Sequence, residues 1–211
     1  MMKPFTKLLI MIATLANVGC GSEGFTPHEK EVIAAGEVDI MALTTIANEQ
    51  DSILLRSKSE PLTREMVESK EFEVLCRRML ATVQDPLNEG VGIAAPQVGL
   101  LRRLVAVQRF DKEGEPFEFF VNPEIVELGD DVELGGEGCL SVPEIRGEVR
   151  RAQSLVLRYR DAAFEERTER VEGFTAVIFQ HEIDHLDGVL FIDKMEAEIE
   201  AEEDDETDAE E

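Results

Sequence analysis

Apolar and polar positions along the chain follow two different periods, which predict a helix, a group of strands and a second helix. Residues 62–83 show the helical period, with an apolar face made of Met66, Phe72, Leu75, Met79 and Leu80. Four later runs alternate or are rich in strand-forming residues, and Gly, Pro or Asp separates them: Leu101–Gln108, Phe117–Pro123, Ser154–Arg160 and Phe164–Gly173. A second helical pattern covers about 174–187 and is followed by Gly188. Helices on either side of a run of strands indicate the α+β class.

Length and composition limit this fold to one globular domain with extensions. The chain has 211 residues, of which 43% are hydrophobic, enough to bury a sizeable core. The formal charge is −25, but residues 196–211 hold eleven acidic residues and no basic one, which leaves −14 for the rest. Such a tail is expected to be a solvated extension or a frayed charged helix. The acidic balance also excludes a nucleic-acid-binding protein, whose electrostatic footprint is basic.

The N-terminal segment, residues 1–20, has the layout of a secretion signal. Two lysines precede an apolar run from Leu8 to Val18, and small residues and Cys20 follow. The run is too short for a transmembrane span, which needs about 20 residues. A cysteine directly after such a run resembles a bacterial lipoprotein signal, so we expect lipidation of Cys20 and attachment to a membrane. A short apolar N-terminal helix is the alternative.

The three cysteines do not form a disulfide framework, and they differ in their surroundings. Cys76 lies within the first helical pattern, so it is expected to be a buried apolar filler without chemistry. Cys139 lies in GGEGCLSVPEIRG, a glycine-rich stretch without a helical period that predicts a loop. A thiolate in such a loop can reach a metal site that other segments build.

Two of the three histidines of the chain lie in the stretch QHEIDHLDG. In a helix, His181 and His185 are four residues apart and stand on one face. With Glu182 they form the H-E-x-x-H pattern, in which the histidines bind a metal and the glutamate is a general base. The alternative is a surface helix whose polar residues coincide with a short motif.

Three stretches, GVGIAAPQ, EGCLS and QHEIDH, occur in this order and resemble the signature motifs of the peptide deformylase family. Its members remove the formyl group from the N-terminal formyl-methionine of newly made bacterial proteins. The resemblance covers about residues 50–195, which we expect to be the catalytic domain between a variable lead-in at 21–49 and the tail at 196–211. It implies antiparallel sheets packed around a central helix that carries H-E-x-x-H, with an N-terminal helix.

The resemblance also implies a role for each motif residue. Cys139, His181 and His185 would bind the metal, which in this family is characteristically Fe²⁺ and can be replaced by zinc, nickel or cobalt. The donor set itself suits zinc equally well. Glu182 would serve as general base and then acid. The Gln97 side chain and the N–H of Leu140 would stabilise the negative charge that develops on the formyl oxygen.

The remaining candidates concern the peptide. Gly90 and Gly92 permit close approach of a substrate backbone, which would pair like an added strand. By resemblance, Val91 and Val177 help to line the methionine pocket and Arg146 lies near the peptide backbone. Apolar periodicity alone would equally make both valines core residues.

The expected partners are N-formyl-methionyl peptides or nascent chains, and the expected state is a monomer. Two other functions stay open. One is a zincin-like metallopeptidase, although no histidine follows His185 as third ligand. The other is a lipid-anchored protein that acts on exported formyl peptides. The signal layout and the cytoplasmic origin of nascent chains indicate different compartments.

Overall fold

The computed structural model describes residues 24–36 and 39–195, and within them seven strands form two antiparallel sheets. The strands are β1 Gly92–Ala94, β2 Leu104–Gln108, β3 Phe117–Leu128, β4 Val132–Cys139, β5 Val142–Ala152, β6 Ser154–Arg160 and β7 Glu166–Glu172. Five of them form a sheet in the order β1-β2-β3-β6-β7, and β4 pairs only with β5. The four predicted strands are present with shifted ends. Strand β3 continues past Pro123 to Leu128, with register irregularities between Val121 and Glu127. Strand β7 begins at Glu166, after the positive-φ residue Phe164.

The helices are α1 Pro27–Ala34, α2 Glu49–Leu55, α3 Arg64–Val67, α4 Lys70–Val83 and α5 Gly173–Leu186, with a 3₁₀ helix at Ala95–Val98. The prediction of one helix over 62–83 was wrong, since α3 and α4 are separate. Each of the two helices begins at its own N-cap residue, Thr63 or Ser69. The side chain of each cap accepts a hydrogen bond from the N–H three residues later. The predicted α+β class is confirmed.

The five-stranded sheet is buried on both faces where it supports the site. In β2, Leu104 and Ala106 belong to one core cluster, with α4, while Val105 and Val107 belong to a second cluster, with α5. Successive strand residues point to opposite faces, which explains why this run is apolar throughout. The helix α5 therefore packs against the sheet as a central element, and only one side of it faces the site.

The stretch GGEGCLSVPEIRG is not the loop that the sequence predicted. It forms most of the β4–β5 hairpin, in which Cys139 ends β4 and the turn consists of Leu140 and Ser141. Cys139 packs in a third cluster with Leu55, Val142, Val149, Leu190 and Phe191. The four glycines and several exposed polar positions of the hairpin removed the alternation by which strands are recognised.

The segment at 21–49 is more than a variable lead-in, because its described part contains α1 and the start of α2. Phe25, Ile33 and Met41 are buried in the same cluster as α4. The predicted signal at 1–20 and the acidic tail at 196–211 lie outside the described residues. Within residues 24–36 and 39–195, no helix has the length and apolar character that a bilayer crossing needs.

Candidate metal centre and peptide pocket

The three predicted metal ligands come together although one of them is distant in the chain. Cys139 lies at the end of β4, while His181 and His185 project from one face of α5. Their potential ligand atoms all lie within 4.8 Å of one another. The Sγ of Cys139 is 3.1 Å from the Nε2 of His185. The hairpin therefore brings a thiol to a pair of imidazoles that the helix period already placed together.

This donor set fits a divalent metal. Metal–sulfur and metal–nitrogen bonds of about 2.3 and 2.0–2.1 Å in a tetrahedral site put the two ligand atoms about 3.5 Å apart. Sγ of Cys139 and Nε2 of His185 are 3.1 Å apart, and no pair of the three ligand atoms exceeds 4.8 Å. Burial of Cys139 favours its thiol form, but His185 and His181 lower the pKa of this cysteine well below its usual value. The thiolate is the form that binds metals. Three protein ligands leave one position open, as catalytic sites require.

A carboxylate that the sequence did not single out orients one of the imidazoles. The Nδ1 of His181 lies 2.8 Å from Oε2 of Glu137, so the other ring nitrogen, Nε2, is available to a metal. Glu137 is also paired with Arg151 at 2.7 and 3.1 Å, and Arg151 is paired with Asp184 at 2.6 Å. Burial raises the pKa of Glu137, but His181 and Arg151 outweigh it and lower this pKa to about 2. Glu137 therefore stays charged and fixes His181.

The role of Glu137 could have been predicted from the sequence, whereas that of Arg151 could not. Glu137 precedes Cys139 by two residues in the EGCLS stretch, and residues two apart on a strand share a face. Recognition of β4 would therefore have indicated that Glu137 points toward the ligand site. Arg151 gave no such signal, because it lies on the other strand of the hairpin, opposite Glu133, and only its side chain reaches Glu137.

Glu182 lies on the pocket side of α5 and is 4% exposed. Its Oε2 has no hydrogen-bond partner among the described residues. Burial raises its pKa to about 7, while His181 and His185 act in the opposite direction. A carboxylate of that pKa can both accept and return a proton near neutral pH.

The glycines of GVGIAAPQ have a reason that sequence reasoning did not supply. A Cβ on Gly92 would lie 2.4 Å from Oε1 of Glu182 and 2.8 Å from Cγ2 of Ile178. A Cβ on Gly90 would lie 2.7 Å from Cγ2 of Val83 and 3.3 Å from Cδ1 of Leu140. Both glycines are needed because side chains of the protein itself pack against their backbone. The absence of a Cβ at Gly92 leaves the space that the Glu182 carboxylate occupies.

The Gln97 amide is oriented by the backbone of the segment before it. Its Oε1 accepts a hydrogen bond of 2.8 Å from the N–H of Ala94. The Nε2 group is thereby directed to the site, 3.5 Å from Sγ of Cys139. Leu140 forms the turn after Cys139, and its N–H donates to no acceptor among the described residues. Two donors from separate segments therefore border the ligand site.

The predicted site residues share one cavity of about 290 Å³. Ten of them line it: Gly90, Val91, Gly92, Gln97, Cys139, Leu140, Arg146, Val177, His181 and Glu182. His185 lies deeper, at 1% exposure. The guanidinium of Arg146 occupies the space that a side chain on Gly138 would need. Phe174 and Ile178, which the sequence reading left out, also line the cavity. Their helical spacing with Val177 and His181 was a usable signal.

An α+β fold with a thiolate, two imidazoles and an adjacent buried carboxylate defines a hydrolase of the metal-dependent class. Residues 43–200 match the family model of polypeptide deformylase. The chain belongs to this family. It is a hydrolase that removes the formyl group from an N-terminal methionine.

Known proteins agree in sequence and in structure. A peptide deformylase of Leptospira biflexa is 38% identical over 151 residues, which cover 68% of this chain and 83% of the relative. One of Caulobacter vibrioides is 42% identical over 158 residues, covering 74% and 88%. The crystal structure of the Met-Ala-Ser-bound class I type b peptide deformylase of Acinetobacter baumannii superimposes with a TM-score of 0.65 at 34% identity, covering 74% of this chain and 98% of that one.

Proposed function

We propose that this enzyme hydrolyses the formyl group of formyl-methionine at the start of newly synthesised polypeptides and releases formate. The observation that carries the proposal is the convergence of a thiol, two imidazoles, a buried carboxylate and an amide donor on one pocket. The peptide bound to the Acinetobacter baumannii enzyme supports a peptide substrate here.

In the proposed reaction, Cys139, His181 and His185 would hold the metal. A divalent metal bound there would supply acidity to a water, whose pKa it would lower toward about 7. Glu182 would take the proton of that water as the water oxygen bonds to the formyl carbon. It would then deliver this proton to the methionine nitrogen as the C–N bond breaks and formate leaves. Charge that develops on the formyl oxygen is stabilised by the Gln97 amide and the N–H of Leu140.

We propose further that Gly90, Val91 and Gly92 border the peptide on one side of the pocket and Arg146 on the other. Val177 lines the methionine side of the cavity. The metal is Fe²⁺ by family resemblance, with zinc, nickel or cobalt as substitutes. The active species is proposed to be a monomer.

The metallopeptidase alternative has less support. Such enzymes usually take their third ligand from residues after the second histidine. Among the described residues, the two acids after His185 have other partners, since Asp187 pairs with Arg103 and Asp193 with Arg56. Hydrolysis of an unmodified peptide without formate release would favour a peptidase.

The experiment that tests the proposal compares wild type with Glu182→Gln on formyl-Met-Ala-Ser, with formate release as the readout. The substitution keeps size and all three ligands but removes the base. Activity should fall by about 10² or more, while metal content stays stoichiometric. A variant that retains most of its activity would exclude the role of Glu182.

Lipidation of Cys20 stays a prediction, because this residue lies outside the described part of the chain. The intact mass of the mature protein after cell fractionation tests it. A mass that lacks residues 1–19 and includes a lipid would support the version of the proposal in which exported formyl peptides are the substrates.

A further inference from the structure

The two proposed oxyanion donors belong to segments that are far apart in the chain. Gln97 lies in the 3₁₀ helix that follows β1, in the five-stranded sheet. Leu140 lies in the turn of the two-stranded hairpin. A long side-chain hydrogen bond joins the two segments, from Nε2 of Gln97 to Sγ of Cys139 at 3.5 Å. Both donors must nevertheless point at one oxygen.

A third segment binds both of them through its backbone. The N–H of Thr44 donates to the carbonyl of Gln97 at 2.9 Å, and the N–H of Ile46 donates to the carbonyl of Ser141 at 3.0 Å. Ser141 directly follows Leu140 in the same turn. Residues two apart in a chain span at most about 7 Å. The two hydrogen bonds therefore limit how far the donor segments can separate.

The segment Thr44–Ile46 is held by its surroundings. Three residues before it, the N–H of Met41 donates to the Oγ1 of Thr82 in α4 at 2.8 Å, and within it Thr44 is 6% exposed. Ile46 packs against the cluster that contains Cys139. A spacer between two segments can hold a distance only if it is held in this way.

We propose that Thr44 and Ile46 are positioning residues for deformylation, whose N–H groups set the spacing between the Gln97 and Leu140 donors. The inference rests on the proposed function of the pocket. Oxyanion donors act at about 2.7–3.1 Å, and a misplacement of about 1 Å can cost on the order of 10² in rate. Loss of one spacing bond should permit part of such a shift, so we expect a decrease in kcat of about tenfold.

The test removes single N–H groups and keeps the side chains. α-Hydroxy analogues of threonine at position 44 and of isoleucine at position 46 replace the amide by an ester. Thr45 is the matched control, because its N–H donates no hydrogen bond among the described residues. Both test variants should lose about tenfold in kcat on formyl-Met-Ala-Ser, because each loses one of the two spacing hydrogen bonds. The KM, the metal content and the Kd for Met-Ala-Ser should stay at wild-type values, as should all constants of the control.

A double-mutant cycle separates positioning from general stability. In a Gln97→Ala background, the ester at Thr44 should have no further effect on kcat, while the ester at Ile46 should still lower it. A lower Tm with unchanged kcat, or a raised KM with unchanged kcat, would overturn the inference. Each ester variant tests it independently, so misfolding of one leaves the other decisive.

Formate release by the wild-type enzyme separates a failure of the proposed deformylation from a failure of the positioning role of Thr44 and Ile46. If wild type releases formate and both ester variants match the Thr45 control, only the positioning role fails. If wild type releases no formate, the proposed function fails and this inference fails with it.

Discussion

The replacement Gly92→Ala tests how closely the proposed base is positioned. The added Cβ would lie 2.4 Å from Oε1 of Glu182, whereas ordinary contacts begin near 3.4 Å. The carboxylate would therefore have to move by about 1 Å, a displacement that can cost on the order of 10² in rate. Cγ2 of Ile178, at 2.8 Å from the same Cβ, limits the directions in which the new methyl can be accommodated.

The stability cost should be smaller than the catalytic cost. The carboxylate is the far end of a rotatable side chain, and Gly92 has no positive φ that an alanine would strain. The three atoms nearest to the new methyl belong to Glu182 and Ile178, and none of them belongs to a metal ligand. We therefore expect a kcat about 10² lower, with metal content unchanged and a modest change in Tm.

The assay is formate release from formyl-Met-Ala-Ser, with metal content measured on the same samples. Gly135→Ala is the matched control, since its Cβ would meet nothing within 4 Å and its residue also lies in a strand. If the kcat of Gly92→Ala lay within about twofold of this control, Glu182 would not be positioned by Gly92, because a displacement of about 1 Å is expected to lower the rate. Loss of metal in Gly92→Ala would refute it as well, since the effect would then act through the ligands.

Three further predictions concern the ligands and donors. Cys139→Ala should lose metal and activity together. Cys76→Ala should keep both, because burial raises the pKa of Cys76 to about 12 and keeps it a thiol. Metal analysis of both purified variants checks this. Glu137→Gln should weaken metal affinity about 10–100-fold, as loss of a carboxylate that orients a ligand does, whereas the exposed Glu133→Gln should not; competition with a chelator measures both. Gln97→Ala should lower kcat and kcat/KM together by about 10²–10³, and Gln97→Glu should be slower still; equal kcat values at matched metal content would remove Gln97 from the mechanism.

Apart from the break between α3 and α4, the elements with a regular period were predicted well. The pattern over 174–187 corresponds to α5 at Gly173–Leu186, and the runs for β2, β3, β6 and β7 all correspond to strands. Their apolar positions repeat with the period of the structure that they form, so a single segment carries enough information. The strands of the β4–β5 hairpin were not predicted, because glycines and exposed charges replace the alternating apolar residues.

The lead-in was underestimated for a similar reason. The helices α1 and α2 are eight and seven residues long, too short for a periodic pattern to stand out. Their burial depends on contacts with α4 and with the hairpin cluster. Thr44 and Ile46 bind carbonyl groups, which no side-chain pattern reports.

Features that depend on local spacing could be predicted from the sequence. His181, Glu182 and His185 share one turn of a helix because 3.6 residues complete a turn, and the three motifs identified the family. The distant groups that complete the site could be identified only from the folded chain. The side chain of Arg151 on β5 reaches Glu137 on β4, and packing of α5 against β1 places Glu182 against Gly92. These contacts join residues whose separation along the chain follows no period, so they arise from the packing of whole elements.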